Sequence, residues 1–272
     1  MTIKKVWAVY FSPTGTTKRA VEKVADTISQ KLQLPKKVFD FTSPAVRKEA
    51  VSFGEEDVVV FGVPVYAGRV PNVLLKYLDT VKGNGALAVP VVLFGNRNYD
   101  DALVELRDIL ENNGFKTIAA GAFVGEHSFS DTLAAGRPDK EDLILAERLG
   151  EQAAKKIESD IIVSPISVRG TPYPYSGYYQ PRDREGNPVS ILKVKPVTND
   201  NCINCRICVK VCPMGSISFD DVSVVSGICI KCGACIKKCP MKAKKFTDAG
   251  FIYHKVELEE GLTRRGDSDI FF

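Results

Sequence analysis

The eight cysteines of this chain constrain it more than any other feature, because all of them fall into two copies of one short run. Each copy has three cysteines separated by two residues, then a fourth after three more, with a proline directly behind it. The cysteines are Cys202, Cys205, Cys208 and Cys212 in the first run, and Cys229, Cys232, Cys235 and Cys239 in the second. The runs are offset by 27 positions, which predicts two similar half-domains that bury bound groups between them.

Three thiolates at this spacing can surround one iron–sulfur cubane, because a tight loop turns successive cysteines inward. Zinc sites pair two C-x-x-C knuckles and use neither a third cysteine at the same step nor the proline. Disulfides need an oxidising compartment, and nothing else in the chain indicates a secreted protein. Iron–sulfur clusters are therefore expected, with zinc or a single degraded cluster as the alternatives.

The cysteine spacing resembles that of bacterial ferredoxins with two [4Fe–4S] clusters, in which the fourth cysteine of each run ligates the other cluster. The resemblance implies that one cluster is held by Cys202, Cys205, Cys208 and Cys239, and the second by Cys229, Cys232, Cys235 and Cys212. It also implies a protein that moves single electrons.

Length and composition limit the remaining possibilities. A chain of 272 residues allows about two domains, of which the cysteine-rich part takes about a fifth. No apolar stretch approaches the roughly 18–20 residues that span a bilayer, and the start of the chain is too short for a signal segment, so we expect a cytoplasmic protein. The net charge of +4 and the lack of a basic stripe argue against a nucleic-acid partner.

Charge is concentrated around the cysteines. Between positions 199 and 250, four acidic residues accompany eight basic ones. The basic residues are Arg206, Lys210, Lys231, Lys237, Lys238, Lys242, Lys244 and Lys245. This excess either compensates the negative charge of bound clusters or forms a docking patch for an acidic protein redox partner.

The upstream region, residues 1–158, alternates apolar runs with amphipathic stretches, which predicts βαβ units and a parallel sheet. Strands are expected at Val6–Phe11, Lys37–Phe41, Val58–Val63, Leu87–Phe94 and Thr117–Val124. The predicted fold class is α/β, with a doubly wound five-stranded parallel sheet and a small α+β two-cluster domain. A ligand of such a sheet binds beyond the carboxyl ends of the strands.

The turn after the first strand is rich in hydroxyl groups and opens a helix. It contains Ser12, Thr14, Gly15, Thr16 and Thr17. Backbone amides at a helix N-terminus favour an anion, and a neutral, hydroxyl-rich loop suits one terminal phosphate monoester. The turn has neither the lysine of the nucleotide P-loop nor the G-x-G-x-x-G pattern of dinucleotide sites. An ordinary helix cap is the alternative interpretation.

Residues 12–17 resemble the phosphate loop of flavodoxins, which binds the 5′-phosphate of FMN. In flavodoxin-like proteins, the loops after the third and fourth strands flank the isoalloxazine ring. Here those loops contain Pro64, Val65, Tyr66, Ala67, Gly68 and Arg69, and then Gly95, Asn96, Arg97, Asn98 and Tyr99. As a whole the chain resembles the fused flavodoxin–ferredoxin proteins of anaerobic bacteria and archaea, which implies FMN and two [4Fe–4S] clusters in one polypeptide.

Individual roles at the ring follow from the same resemblance. Tyr99 is the first candidate to stack on the ring and Tyr66 the second, with packing in the core as the alternative for each. Backbone groups of residues 67–69 and 96–98 are expected near the pyrimidine edge and N5. Arg69 would place a positive charge at that edge, or else lie in solvent.

One histidine follows the fifth predicted strand, on the ligand side of the sheet. His127 is a weak candidate for a proton donor or substrate contact, and a structural histidine bonded to a loop carbonyl is the alternative. No pairing of a nucleophile with a base is evident, so hydrolytic chemistry is not expected.

The segment after the first domain changes in composition. It has six prolines and four tyrosines between positions 159 and 198, unlike a Gly/Ser-rich tether, which favours an ordered connector with a short strand at Val189–Val194. A plain surface connector is the alternative. The tail ends in apolar residues that could dock on this chain or on another. The expected divisions are therefore 1–158, 159–198, 199–250 and 251–272.

Three functions stay open from these patterns. The favoured one is an electron-transfer flavoprotein that exchanges electrons between FMN, two clusters and a protein partner. The second is an FMN-dependent reductase of a small molecule such as a quinone, a nitro compound or an unsaturated acid. The third is a subunit of a larger redox complex. The oligomeric state is open, and a dimer is compatible with the sequence.

Overall fold

The computed structural model describes residues 2–272; Met1, where the first expected domain begins, lies outside them. The first part of the chain contains β1 (Lys5–Tyr10), α1 (Thr16–Leu32), β2 (Lys36–Asp40), β3 (Asp57–Pro64), α2 (Asn72–Leu78), β4 (Leu87–Phe94), α3 (Ala102–Asn112), β5 (Lys116–Thr117), β6 (Ala120–Val124) and α4 (Lys140–Glu158). The second part contains β7 (Val197–Thr198), α5 (Ile207–Lys210), α6 (Ala234–Lys237), β8 (Lys244–Lys245), α7 (Ala249–Gly261) and β9 (Asp269–Phe271).

The main sheet has the strand order β2-β1-β3-β4-β6, and all of these neighbours pair in parallel. The strand predicted over Thr117–Val124 is interrupted: β5 and β6 pair separately with the two ends of β4. Counted as one strand, they give the order 2-1-3-4-5 of flavodoxin-like sheets. The predicted fold class is confirmed.

Alternating residues of β3 explain why its sequence is apolar throughout. Val59, Phe61 and Val63 belong to one buried cluster, which also contains side chains of α2 and α3. Val58 and Val60 belong to a second cluster, formed with side chains of α1 and α4. Because successive side chains of a strand point to opposite faces, a strand covered by helices on both sides is apolar at every position.

The predicted tail is a helix and a strand that dock on this chain. β9 pairs antiparallel with β6 and so becomes the edge strand of the main sheet. The side chain of Asn96 holds the approach to β9: its Nδ2 donates to the carbonyl oxygens of Leu262 and Arg264, and its Oδ1 accepts from the N–H of Gly266 at 2.8 Å. The apolar end therefore docks in cis, one of the two outcomes that the sequence leaves open.

The connector packs on the loops that follow β3 and β4, but its predicted strand is wrong. Residues 189–194 form no strand, and the N–H of Val194 bonds to the carbonyl of Ile191 as in a turn. Both oxygens of the Asp101 carboxylate are engaged by the connector, because they accept the N–H groups of Thr171 and Ser176 at 2.8 Å each.

A buried ion pair attaches the C-terminal segment to the sheet. Arg137 Nε donates to Asp142 Oδ2 at 2.7 Å, and Arg137 Nη1 donates to the carbonyl oxygen of Gly266 at 2.6 Å. Asp142 Oδ1 also accepts from the hydroxyl of Ser268 at 2.9 Å.

Within residues 2–272, no helix is both long and apolar enough to cross a bilayer.

We expect Arg137→Met to destabilise the protein strongly, because it leaves the buried Asp142 carboxylate without its counter-charge. Breaking such a pair costs about 3–5 kcal/mol. Thermal unfolding should show a melting temperature lowered by many degrees, and the C-terminal segment should become sensitive to protease. Arg148→Met on the exposed side of α4 is the matched control and should change little. Equal melting temperatures for the two variants would contradict this role of Arg137.

Candidate cofactor sites

The eight cysteines, none of which forms a disulfide, surround two separate cavities. One cavity is lined by Cys202, Cys205, Cys208 and Cys239. The other is lined by Cys212, Cys229, Cys232 and Cys235. Each cavity therefore combines three cysteines of one run with the last cysteine of the other, which is the grouping that the ferredoxin resemblance implies. Among residues 2–272, no three His, Cys, Asp or Glu side chains converge closely enough to hold a single metal ion.

The sequence repeat is visible in the backbone of this region. Residues with positive φ recur at the repeat offset, as Asn204 with Lys231 and Arg206 with Gly233, and α5 recurs as α6. The last cysteine of each run also accepts an equivalent hydrogen bond: Cys212 Sγ from the N–H of Ser216 at 3.4 Å, and Cys239 Sγ from the N–H of Ala243 at 3.3 Å. Hydrogen bonds to ligating sulfur tune the reduction potential of a cluster.

Burial alone would keep the thiols of the second cavity protonated. It raises the pKa of Cys232 and of Cys235 to about 12. A metal-bound cysteine is a thiolate, so binding at this cavity requires the metal to displace those protons. The donor set, four cysteines around one apolar cavity, fits an iron–sulfur cluster in each half of the repeat.

The second repeat is packed against the loop after β6 of the first domain, whereas Arg47 of that domain contacts the first repeat by donating to the carbonyl oxygen of Pro213. A side chain at Gly233 would bring its Cβ within 2.5 Å of the carbonyl oxygen of Ser128, so the loop after β6 requires glycine there. Close by, Lys237 Nζ donates to the carboxylate of Glu126 and to the carbonyl oxygen of Ser130. The cavity of Cys212, Cys229, Cys232 and Cys235 is thereby held at the ligand end of the sheet.

A third cavity lies at the carboxyl ends of the parallel strands. Seven of the residues predicted to contact FMN line this cavity, namely Thr14, Thr16, Thr17, Pro64, Val65, Tyr66 and Gly95. The loop after β6 adds Gly125, Glu126, His127 and Ser128. Only His127 of these four was a candidate from the sequence, although the rule that ligands lie beyond the strand ends points to the whole loop. The remaining wall contains Cys232 from the second cysteine run.

The start of α1 has the properties of a phosphate site. Gly15, the residue before the helix, has φ +99° and provides no side-chain cap, so the N–H groups of Thr16 and Thr17 are left for a ligand. Ser12 does not line the cavity; its hydroxyl accepts the N–H of Lys18 at 2.9 Å, and its own N–H bonds to Thr42 Oγ1. Ser12 thus braces the loop, while the three threonines border the cavity.

The ring end of this cavity is narrow. The cavity measures about 60 Å³, less than a flavin ring occupies, so binding the ring requires bordering side chains to turn aside. Tyr66 is the aromatic side chain there. Burial raises the pKa of Tyr66 well above its ordinary value, and the neighbouring Cys232 and Cys229 act in the same direction. Tyr66 therefore lies at the boundary between this cavity and the second cysteine cavity.

His127 lines the same cavity as a neutral imidazole. Its Nδ1 accepts the N–H of Phe129 at 3.1 Å, so its loop partner is an amide and not the carbonyl expected for a structural histidine. Burial, followed by the electrostatic contributions of the neighbouring His254 and Lys237 side chains, lowers the pKa of His127 to about 4. With Nδ1 as an acceptor, Nε2 carries the hydrogen and is the donor available to a ligand.

Two of the predicted ring contacts lie elsewhere. Tyr99 is 3% exposed, packs against Phe94 and donates its hydroxyl to Asp269 Oδ2 at 2.7 Å. The expectation that it stacks on the ring is wrong, because this side chain belongs to the core and to the attachment of β9. Arg69 is neither at the ring edge nor in solvent: its Nε and Nη2 donate to both oxygens of Glu105, at 2.8 and 2.6 Å.

The other residues of these two loops serve the connector and the loops themselves. Ala67 accepts the N–H of Tyr179 through its carbonyl at 2.8 Å, and Gly68 accepts the N–H of Asp101. Arg97 pairs with Asp100, and its guanidinium lies 4.2 Å from the ring centre of Tyr179. Asn98 Oδ1 accepts the N–H of Asp100 at 3.0 Å. The side chains of Asn96, Arg97 and Asn98 therefore have partners outside the third cavity.

The basic residues around the cysteines do not form one patch. Lys237 is in the domain contact, Lys231 donates to the carbonyl of Leu192, and Lys244 is 2% exposed and donates to the carbonyl of Val222. Lys244 also borders the cavity of Cys202, Cys205, Cys208 and Cys239. The lysines that remain exposed are Lys210, Lys238, Lys242 and Lys245. The docking patch therefore stays a prediction, for which the four exposed lysines are available.

Comparisons with known proteins match the two parts of the chain separately. Residues 201–243 match a family described as a 4Fe-4S dicluster domain. A flavodoxin from the domain Archaea aligns over 57% of this chain and 99% of its own, with 17% identity and a TM-score of 0.41. A flavodoxin from Streptococcus pneumoniae aligns over 56% and 99%, with 21% identity and a TM-score of 0.40. An NADH:FMN oxidoreductase in its apo form aligns over 63% and 96%, with 16% identity and a TM-score of 0.41.

A comparison with curated proteins gives no match. The fold assignment rests on the strand order, since these structural likenesses are distant. The chain joins a flavodoxin-like α/β domain to a 4Fe–4S dicluster domain, the architecture expected from the sequence.

We expect Gly15→Val to remove FMN and leave the iron content unchanged. Valine disfavours the left-handed backbone at this position, and its side chain enters the space at the start of α1. The flavin-to-iron ratio of the purified protein measures the effect. Gly54→Val is the matched control, because Gly54 lies in a loop with open space around its Cβ and no left-handed φ. Loss of iron together with flavin would contradict the separation of the two sites.

We expect Lys244→Met to lower the reduction potential of the neighbouring cluster by tens of millivolts. The buried ammonium group favours the added negative charge of the reduced cluster, and methionine keeps the length of the side chain. A redox titration followed by EPR measures the potential, with iron content as the test of folding. Lys245→Met is the control, since Lys245 is exposed. Equal potentials in both variants would show that Lys244 has only a structural role.

Proposed function

We propose that the protein is an electron-transfer iron–sulfur flavoprotein, with FMN beside Thr14, Thr16 and Thr17 and one [4Fe–4S] cluster in each cysteine cavity. When bound, FMN exchanges electrons in pairs or singly, and each cluster exchanges one. The chain's contribution is to hold these groups at fixed positions, to exclude water and to adjust their potentials through burial, charge and hydrogen bonds. An acceptor or donor protein completes the reaction.

The observation that carries this proposal is the position of Cys232. This residue belongs to the second cysteine cavity and also forms part of the wall of the flavin cavity. The two sites therefore share one side chain, and the packing of Gly233 on Ser128 holds them together. A protein that bound these groups for unrelated purposes would not need a common wall.

Among the eight cysteines, the exposed one belongs to the first cysteine cavity. Cys205 is exposed, and so are the apolar side chains of Ile203, Phe219 and Met241. Arg206 lies over the Phe219 ring at 4.3 Å and borders the cavity. An apolar surface with basic residues at its margin fits a protein partner with an acidic rim. We infer that electrons pass between the sites in the order flavin site, second cysteine cavity, first cysteine cavity and protein partner.

Two single substitutions test this order. Cys205→Ser should impair the cluster of the first cysteine cavity, and Cys229→Ser should impair the cluster next to the flavin site. After flash photoreduction of the flavin in anaerobic holoprotein, absorbance should show electron exchange between flavin and clusters in the Cys205→Ser variant. The Cys229→Ser variant should show little or none, because its intact cluster lies farther from the flavin.

The iron content of each variant is the control: it should be about half that of the unmodified protein if one cluster is kept. The Cys205→Ser variant should also discharge more slowly than the unmodified protein to a one-electron acceptor protein in solution. The reverse pattern, with exchange retained only in Cys229→Ser, would overturn the proposed order. Absence of any exchange in the unmodified protein would overturn the function itself.

A further inference from the structure

A fourth cavity, of about 620 Å³, lies between the connector and α7. Its walls include Arg97, Tyr178, Tyr179, Arg182, His254 and Leu258. Its volume is in the range of small-molecule sites, which is about 300–1,000 Å³. Neither the flavin site nor the cysteine cavities use it, and it is formed by the two segments whose roles the sequence left open.

The tyrosines of this cavity are held in place by contacts with the loops after β3 and β4. The Tyr178 ring lies 5.1 Å from the guanidinium of Arg69, which is itself paired with Glu105. Tyr179 is fixed by Arg97 on its ring and by the bond from its N–H to Ala67. Rigid aromatic walls favour a flat ligand, because stacking then costs little conformational entropy.

The polar groups of the cavity favour an anion. Arg97 and Arg182 each have five N–H donors; Arg97 uses some on Asp100, and Arg182 donates one to the carbonyl of Gly186 at 2.7 Å. The acidic side chain of the wall, Glu257, is paired with the Arg184 guanidinium, 3.0 Å away.

One buried histidine adds a polar group to the apolar part of the cavity. His254 is 5% exposed, and its ring lies among those of Phe129 and Tyr179, at 6.3 and 6.0 Å between centroids. Burial, and then the charge of Arg97, lowers the pKa of His254, so it is a neutral imidazole that can donate or accept one hydrogen bond. Leu258 and Leu262 complete the apolar wall.

We propose that this cavity binds a planar, aromatic small molecule that carries a carboxylate. The ring lies against Tyr178, Tyr179 and His254, and the carboxylate lies between Arg97 and Arg182. The site is close to the flavin cavity, because the Phe129 ring contacts both His254 and His127, the latter at 5.0 Å between centroids. Binding requires neither FMN nor the clusters, so the proposal stands apart from the proposed electron transfer.

Isothermal titration of the holoprotein with 2-naphthoate tests the proposal, and the neutral 2-naphthamide is the comparison ligand. We expect saturable binding of 2-naphthoate, and binding of the amide weaker by about tenfold or more, since the charge-assisted hydrogen bonds are lost. Arg182→Gln should weaken 2-naphthoate binding to a similar extent. Arg148→Gln removes the same charge from the exposed side of α4 and should leave the affinity unchanged.

A second variant fills the cavity without disturbing its surroundings. Gly261 lies in the wall at the end of α7, and a Cβ added there meets no atom within 4 Å. Gly261→Trp should abolish binding while flavin and iron contents stay unchanged, and Gly54→Trp should bind as the unmodified protein does. Absence of saturable binding at millimolar 2-naphthoate would overturn the proposal. So would an affinity in Arg182→Gln and Gly261→Trp equal to that of the unmodified protein.

Discussion

The contact between the loop after β6 and the second cysteine repeat determines the relative position of every candidate site. Gly233 allows the backbone of Ser128 to approach, and Lys237 attaches this loop through Glu126 and Ser130. Burial acts to raise the pKa of Glu126, but hydrogen bonds from Lys237 and from the N–H of Gly136 lower that pKa by more. Glu126 is therefore a charged carboxylate in this contact. Because Cys232 is next to Gly233 in the chain, this contact also places the cysteine in the wall of the flavin cavity.

The chain segments on both sides of the cysteine-rich unit also attach it to the first domain. The connector enters it after packing on Asp101 and on the loops behind β3 and β4. The chain leaves it through α7 and then adds β9 to the edge of the main sheet. The unit is therefore inserted between the sheet and its last strand. Two attachments limit rotation far more than one flexible tether, so the separation between neighbouring sites is a property of the fold.

Local patterns predicted most of the first domain, because its strands and helices depend on short repeats in the chain, whereas the grouping of the cysteines followed from the ferredoxin resemblance. The apolar run of β3 and the hydroxyls before α1 need no knowledge of distant partners. Tyr99, Arg69 and Asn96 are different, since their roles are set by Asp269, Glu105 and Gly266. A loop of glycine, asparagine and tyrosine is equally suited to a flavin and to a packed segment. β9, with three residues, is too short for a period-two pattern to identify it.

The repeat also explains why two similar halves have different roles. Lys210 and Lys237 occupy equivalent positions at the repeat offset. Each is the middle residue of the three that separate the last two cysteines of its run. Lys237 is bound by a carboxylate and a carbonyl of the first domain, whereas Lys210 is exposed. Arg206 and Gly233 are also equivalent, and glycine stands at the position where the backbone of Ser128 approaches closely. The first domain thus shows how one half of the repeat is recognised by an acidic loop. The other half leaves the equivalent lysine, Lys210, exposed, in keeping with the proposed partner that has an acidic rim.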